Sequence, residues 1–513
     1  HGNQVVPDRR LAEYLGPLLE REMEQNWSDG EAIHLSVRGL SAKALADLRK
    51  ETLKVLESIA LGEDLAAVAV ALEQIGPALA PPRGGFGRVP TPAEIAQWYS
   101  EDLEAFETIQ RIGRAHGSRA VDLCVLREIG WVAEHSEHAA LKERAQAEVA
   151  RIRNRLEGSL ELALARAYHL HRGVRVDRHE EHHREITKIA AAHEGLDAQT
   201  LLSKVRGAFE PMRAAGLDPD PTIFFAAVAR TALSVGEALV EEALVAPEDE
   251  VLVPSLGGVV DGIADADGAR AAALAEKVLA SGAVLCLRSI ANTYRSPHFV
   301  QGIGADRALT HLERLLSMRD RWVREGALAA IGFRDELPRG ERVRLLLGYD
   351  LAACPSSGEE WAQALHTLVA DCSDQELEVV ARKLGDAAEL EYWACDVIET
   401  LARRVPAGLV DTLVARVPRA AEDEFEAVLD PAQKDPLASL PESARERGMT
   451  ALGACLGSED FKVAHAASSL FHKLSTGDRT VMRRVHLAWL RSGRRDLILQ
   501  VAESLRYKES EFL

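Results

Sequence analysis

Between Asp320 and Gly332 the chain reads Asp-Arg-Trp-Val-Arg-Glu-Gly-Ala-Leu-Ala-Ala-Ile-Gly. Val323, Ala327, Ala330 and Ile331 recur at spacings of three and four, so they fall on one stripe of a helix. The stripe is built largely from small side chains, which lets a neighbouring helix approach closely. Asp320 stands where an N-cap belongs, and Gly332 follows the last apolar position, where a helix C-terminus is expected. A helix of this kind is stable only when other helices cover it.

A second segment of the same kind runs Asp460-Phe-Lys-Val-Ala-His-Ala-Ala-Ser-Ser-Leu470. Looser copies start near Gly282 (Val284, Leu287, Ile290), Glu360 (Ala364, Leu368) and Glu391 (Ala394, Val397, Leu401). Their spacing, roughly 30 to 40 residues, is that of two-helix repeats. The pattern Asp-x-x-Val-Arg-x-x-Ala-x-x-Ala-Ile-Gly resembles the inner-helix signature of HEAT repeats. The resemblance covers about the final half of the chain and implies an all-α fold, an α-solenoid of stacked helix pairs preceded by an N-terminal helical region. It also implies recognition of another macromolecule, most naturally a protein or peptide, on the concave face of the array.

Helical periodicity extends through the rest of the chain. Helices are expected over Asp8 to Gln25, Ser41 to Leu61, Glu63 to Leu79, Asp122 to Glu134 and Leu141 to His169. Thr91, Pro92 and Glu94 form a helix-start signal, and Ser357 to Glu360 and Ser373 to Glu376 repeat its capping-box spacing. The Pro- and Gly-rich run from Pro81 to Pro90 reads as a surface loop. The stretch Pro247 to Gly268 loses helical period and reads as an irregular connection, and the acidic Glu422 to Ser443 with its three prolines reads as a second joint. These breaks suggest three regions: residues 1–80, residues 91–246 with long helices, and the repeats over 269–513.

Composition narrows the function. With 47% hydrophobic residues the chain can fill a core, and with aromatics at 5% that core rests on Leu, Ala and Val. A net charge of −19 disfavours general binding of nucleic acid or anionic membranes. No apolar run reaches the length of a membrane span. Cys124, Cys286, Cys354, Cys372, Cys395 and Cys455 are scattered without a C-x-x-C pair, as expected of buried reduced thiols in a cytoplasmic protein. The chain begins His1-Gly2-Asn3 without Met, which suits part of a longer signalling or regulatory protein.

Candidate chemistry is sparse. His179-Glu-Glu-His-His183 satisfies H-E-x-x-H, in which two histidines one turn apart ligate zinc and the Glu activates water. A zinc hydrolase is therefore one rival reading. The charged residues around the motif, with His182 in its middle, instead suggest a solvated helix face, and His169 and His171 extend that polar patch. There is no phosphate loop and no G-x-S-x-G elbow, and Gly84 to Gly87 lacks a preceding strand. No cofactor is expected. A basic cluster, Arg479, Arg483, Arg484, Arg491, Arg494, Arg495, Arg506 and Lys508, reverses the global charge locally. It serves either as the polar face of a terminal repeat or, in a second rival reading, as a nucleic-acid surface. Trp98 and Trp393, with their neighbours Tyr99 and Tyr392, are core or groove aromatics, and an exposed one would be a binding anchor.

Overall fold

A computed structural model describes residues 8–20, 22–28, 33–39, 42–79, 91–166, 176–422, 425, 435–475 and 479–507. The fold is all-α in its architecture, and the described residues form two compact units, His1–Ala266 and Asp267–Leu513. Gly84 to Gly87, His169, His171 and most of the acidic joint after Glu422 lie outside the described residues.

The second unit is a HEAT-like α-solenoid. Helices Val284–Thr293, Arg321–Phe333, Gly358–His366 and Tyr392–Arg404 stack in chain order as one layer. Ala305–Leu316, Arg339–Gly348, Asp374–Leu384 and Pro406–Arg416 pack behind them. Val323, Ala327, Ala330 and Ile331 are all fully buried, as their stripe requires. Asp320 caps its helix by accepting the Val323 N–H at 3.1 Å, and its carboxylate also receives two bonds from Arg288 of the preceding repeat. Gly332 plays a different part from the one expected. The helix continues to Phe333, and a Cβ on Gly332 would lie 2.6 Å from Ala364 Cα. The glycine therefore brings two stacked helices together instead of ending one. Asp460 caps Phe461–Leu474 as the second copy predicts. Beyond it Ala464, Val485, Trp489, Leu497 and Val501 form the core of the last helices.

In the first unit Ala42–Ala60, Leu65–Ile75, Pro92–His116, Arg119–His135 and Ala139–Leu156 pack against one another. Thr91 completes the expected capping box with Glu94. Three expectations are corrected. The first helix stops at Leu15, and Glu22–Ser28 instead pairs antiparallel with Ile33–Gly39 in a β-hairpin. The long helix after Leu141 ends at Leu156, where Gly158 takes a φ of +71° and turns the chain into the short helix Leu160–Leu164. The supposed connection after Pro247 contains a helix, Leu256–Ala266. Its glycines are contact residues: a Cβ on Gly262 would lie 2.1 Å from the Ala226 carbonyl oxygen, and one on Gly258 would lie 2.5 Å from Thr222.

Cys124, Cys286, Cys354 and Cys372 are buried, Cys395 and Cys455 are half-buried, and no disulfide joins them. Burial pushes the Cys124 thiol up to about 12, so it is not a poised nucleophile. Among the described residues no helix is long and apolar enough to cross a membrane.

Candidate functional site

The exposed feature with the most chemistry lies where the first turns of three stacked helices meet. Each of these helices buries its apolar stripe, so residues just before or just after the stripe remain at the surface. Arg321–Phe333 presents Trp322, Gly358–His366 presents Glu359 and Glu360, and Tyr392–Arg404 presents Tyr392 and Trp393. Trp322 is 59% exposed and Tyr392 63%, unusual for side chains of this size.

Direct contacts link these residues. The Arg321 guanidinium lies 5.7 Å from the Trp322 ring centroid and pairs with the buried Glu325 carboxylate. The Trp393 backbone N–H donates to Glu359 at 2.7 Å across the repeat boundary. Tyr392 meets Trp393 edge to face at 5.0 Å, Trp393 lies 4.4 Å from His366, and His366 lies 6.5 Å from Phe333. One repeat earlier, Val284 and Leu285 are exposed at the same first-turn position.

Acids outnumber bases at the edge. Asp320, Glu325, Glu359, Glu360, Glu389 and Glu391 gather there with Arg288, Arg319, Arg321 and Arg324. Burial pushes Glu359 and Glu360 above the usual carboxylate range, and the neighbouring acids Glu391 and Glu325 add to the effect. Oε2 of each is buried without a hydrogen-bond partner among the described residues.

The residues singled out in the sequence behave variously. Trp393 belongs to the edge, half-buried on His366. Trp98 is core and offers no surface anchor. Arg494 is already engaged: it donates to the Glu459 carbonyl at 3.0 Å, to the Ser458 carbonyl and to Asp496 at 2.6 Å. It joins the last helices together rather than facing outward. Arg483, Arg491 and Arg495 are exposed, and the side chains of Arg479, Arg484 and Arg506, with all of Lys508, lie outside the described residues.

In the H-E-x-x-H helix His183 is exposed and the His179 side chain lies outside the described residues. His182, read as part of a solvated face, is buried, with Nε2 2.9 Å from the Ala165 carbonyl oxygen. The cavity beside this helix is lined by Glu157, Glu181, Arg184, Glu185 and Lys188, a mixture of signs and not a ligand set. Among the described residues no three His, Cys, Asp or Glu side chains converge on a metal position. What the sequence reading missed is Trp322. Its signal was present: a large aromatic two residues after an N-cap and off the apolar stripe.

No family model and no curated protein matches the chain. Among solved structures it is similar to the karyopherin Kap121p bound to the SUMO protease Ulp1p, with a TM-score of 0.29, 11% identity, and coverage of 88% of this chain and 55% of that one. It is also similar to a circular tandem repeat protein of novel repeat topology, with a TM-score of 0.21, 14% identity, and coverage of 98% and 99%. The chain thus spans about half the length of the karyopherin it matches. The functional reading therefore rests on its own residues.

Proposed function

We propose that this chain is a protein-binding helical-repeat region, the sensor or scaffold part of a larger signalling or regulatory protein that works in the cytoplasm. It acts by holding a protein or peptide partner, with no chemistry of its own. The observation that carries the reading is the exposed pair Trp322 and Tyr392, set on the two repeats that flank the one carrying the partly buried Glu359 and Glu360. Large aromatics at the centre of a patch are the side chains that most often dominate a protein interface. Stacked helices hold them at fixed separation, so little ordering entropy is lost on binding.

The rival readings have less support. A zinc hydrolase needs a convergent ligand set in a sheltered cavity, and His183 is exposed beside a cavity of alternating charge. A nucleic-acid surface has to act on a chain of charge −19, and among the described residues of its cluster Arg494 is already engaged within the fold.

The test is affinity capture with the whole chain as bait, followed by cross-linking to locate the contact. The Trp322→Ala/Tyr392→Ala double variant should lose the captured protein while melting with the parent. A partner retained by that variant, or cross-linked only elsewhere, would overturn the assignment.

A further inference from the structure

Resting on that reading, we infer that the edge from Trp322 to Tyr392 takes an extended segment of a partner protein in polyproline-II form, with Arg or Lys at every third position. Two independent properties lead there.

The first is charge complementarity. Six carboxylates lie around the exposed rings; of the arginines there, Arg288 pairs with Asp320 at 2.6 Å, Arg321 pairs with Glu325, and Arg324 donates to the Arg319 carbonyl at 2.9 Å, so the acids remain in excess. Glu359 and Glu360 are only partly buried and stand beside Glu391, Glu325 and Glu389, so a guanidinium or ammonium from outside relieves the repulsion among them. Trp322 and Tyr392 present π-faces to the same visitor, and a cation over an aromatic ring is attracted to it. Trp322 already holds Arg321 in that manner, which shows the ring face to be accessible to a guanidinium. Polyanions and acidic peptides meet repulsion here.

The second is spacing. Stacked helices lie about 8–10 Å apart, and Gly332 against Ala364 keeps this pair close. A polyproline-II segment advances about 3.1 Å per residue with three residues per turn, so every third side chain returns to the same face after roughly 9 Å. Positions i, i+3 and i+6 therefore meet Trp322, Glu359 with Glu360, and Tyr392 in turn. A β-strand period of two, or an α-helix rising 1.5 Å per residue, does not match this spacing.

The experiment uses the full chain and three fluorescein-labelled ten-residue peptides of defined sequence. One carries Arg at every third position with Pro and Ala between, one has the same composition with its arginines consecutive, and one replaces Arg by Glu. Fluorescence anisotropy should show the spaced peptide binding at least fivefold tighter than the consecutive one, with the Glu peptide not binding. Glu359→Gln/Glu360→Gln, which keeps shape, and Trp322→Ala should each weaken the spaced peptide at least tenfold without lowering the melting temperature. Equal affinity for the spaced and consecutive peptides overturns the proposal, as does unchanged affinity in variants that melt no lower than the parent. So does Trp322-dependent self-association in sedimentation with no peptide binding, which would identify a second copy of this chain as the occupant. If partner capture is lost in Trp322→Ala/Tyr392→Ala but kept in Glu359→Gln/Glu360→Gln, the protein-binding function stands and this inference fails.

Discussion

Arg416 donates through Nη1 to the carbonyl oxygen of Leu384 at 2.7 Å, joining one helix of the second layer to the C-terminal end of the one before it. The guanidinium is fully buried, also reaches the Ala387 carbonyl at 2.5 Å, and lies 4.5 Å from the Phe425 ring centroid. The device recurs. Arg342 serves Ile331 and Gly332, and Arg445 serves Leu437, Leu440 and Leu474. The last carbonyls of a helix have no partner within it, and at Ile331, Gly332, Leu384 and Leu474 a buried arginine from a neighbouring segment supplies one, while the Leu437 and Leu440 carbonyls belong to the turn before Arg445's own helix.

Arg416→Met should therefore lower stability by about 2–4 kcal/mol, because it leaves at least two buried carbonyls without donors. Arg416→Lys should recover only part of the loss, since an ammonium cannot fork between them. Urea denaturation of the three proteins measures this. Equal midpoints for the parent and the Met variant would show that the bonds contribute nothing net.

Gly332→Ala should destabilise by about 1–3 kcal/mol through overpacking against Ala364. Gly340→Ala is the matched control: it too lies within a helix, with nothing near its would-be Cβ, and should be neutral or stabilise by up to about 1 kcal/mol. Thermal melts should fall for Gly332→Ala and stay level or rise for Gly340→Ala.

The carboxylates of the binding edge set a pH dependence of definite sign. Glu359 and Glu360 are raised in the folded chain by burial, so the fold takes up their protons at higher pH than the unfolded chain does. Their ionisation costs stability above the folded value, and that cost disappears as pH falls through it. Capture of a cationic segment moves the other way, weakening from neutrality towards the ordinary value of 4.5 as the charges are lost. Glu359→Gln/Glu360→Gln should flatten both profiles, a result that melts and anisotropy titrations across that window will check.

His182→Ala should cost about 1–3 kcal/mol by leaving the buried Ala165 carbonyl without its partner, whereas His183→Ala at the surface should shift stability far less. Chelation by EDTA should leave the melting temperature unchanged. A fall in that temperature on chelation, reversed by zinc, would restore the metal reading of the H-E-x-x-H segment.

The layer that builds the edge was legible because helix period and caps are local. The stripe from Val323 to Ile331, the Asp320 cap and the Ser373–Glu376 capping box all follow from residues within one turn of each other. What sequence hid was non-local. Gly258, Gly262 and Gly332 read as breaks, yet each is fixed by a helix more than thirty residues away. Ser357 has the spacing of a capping box, but its hydroxyl is buried against the Cys354 thiol at 3.2 Å and caps nothing. The edge itself was half visible, since Tyr392 and Trp393 stood out while Glu359 and Glu360 looked like ordinary surface acids. Their character comes first from burial between the stacked helices and then from Glu325, Glu389 and Glu391, all of which only stacking supplies.

The cysteines of the array carry a consequence of their own. Cys286, Cys354, Cys372, Cys395 and Cys455 are distributed over successive segments from Val284 to the last repeats, each at least half shielded from water. A thiol reagent reaches such a sulfur mainly when its own repeat opens, so alkylation rates report the opening of individual repeats separately. In an array held together by nearest-neighbour contacts, a bound segment spanning three helices should slow Cys354 and Cys395 and leave Cys455 unaffected. Five natural residues thus form a built-in gauge of how far along the chain an occupant's grip is felt.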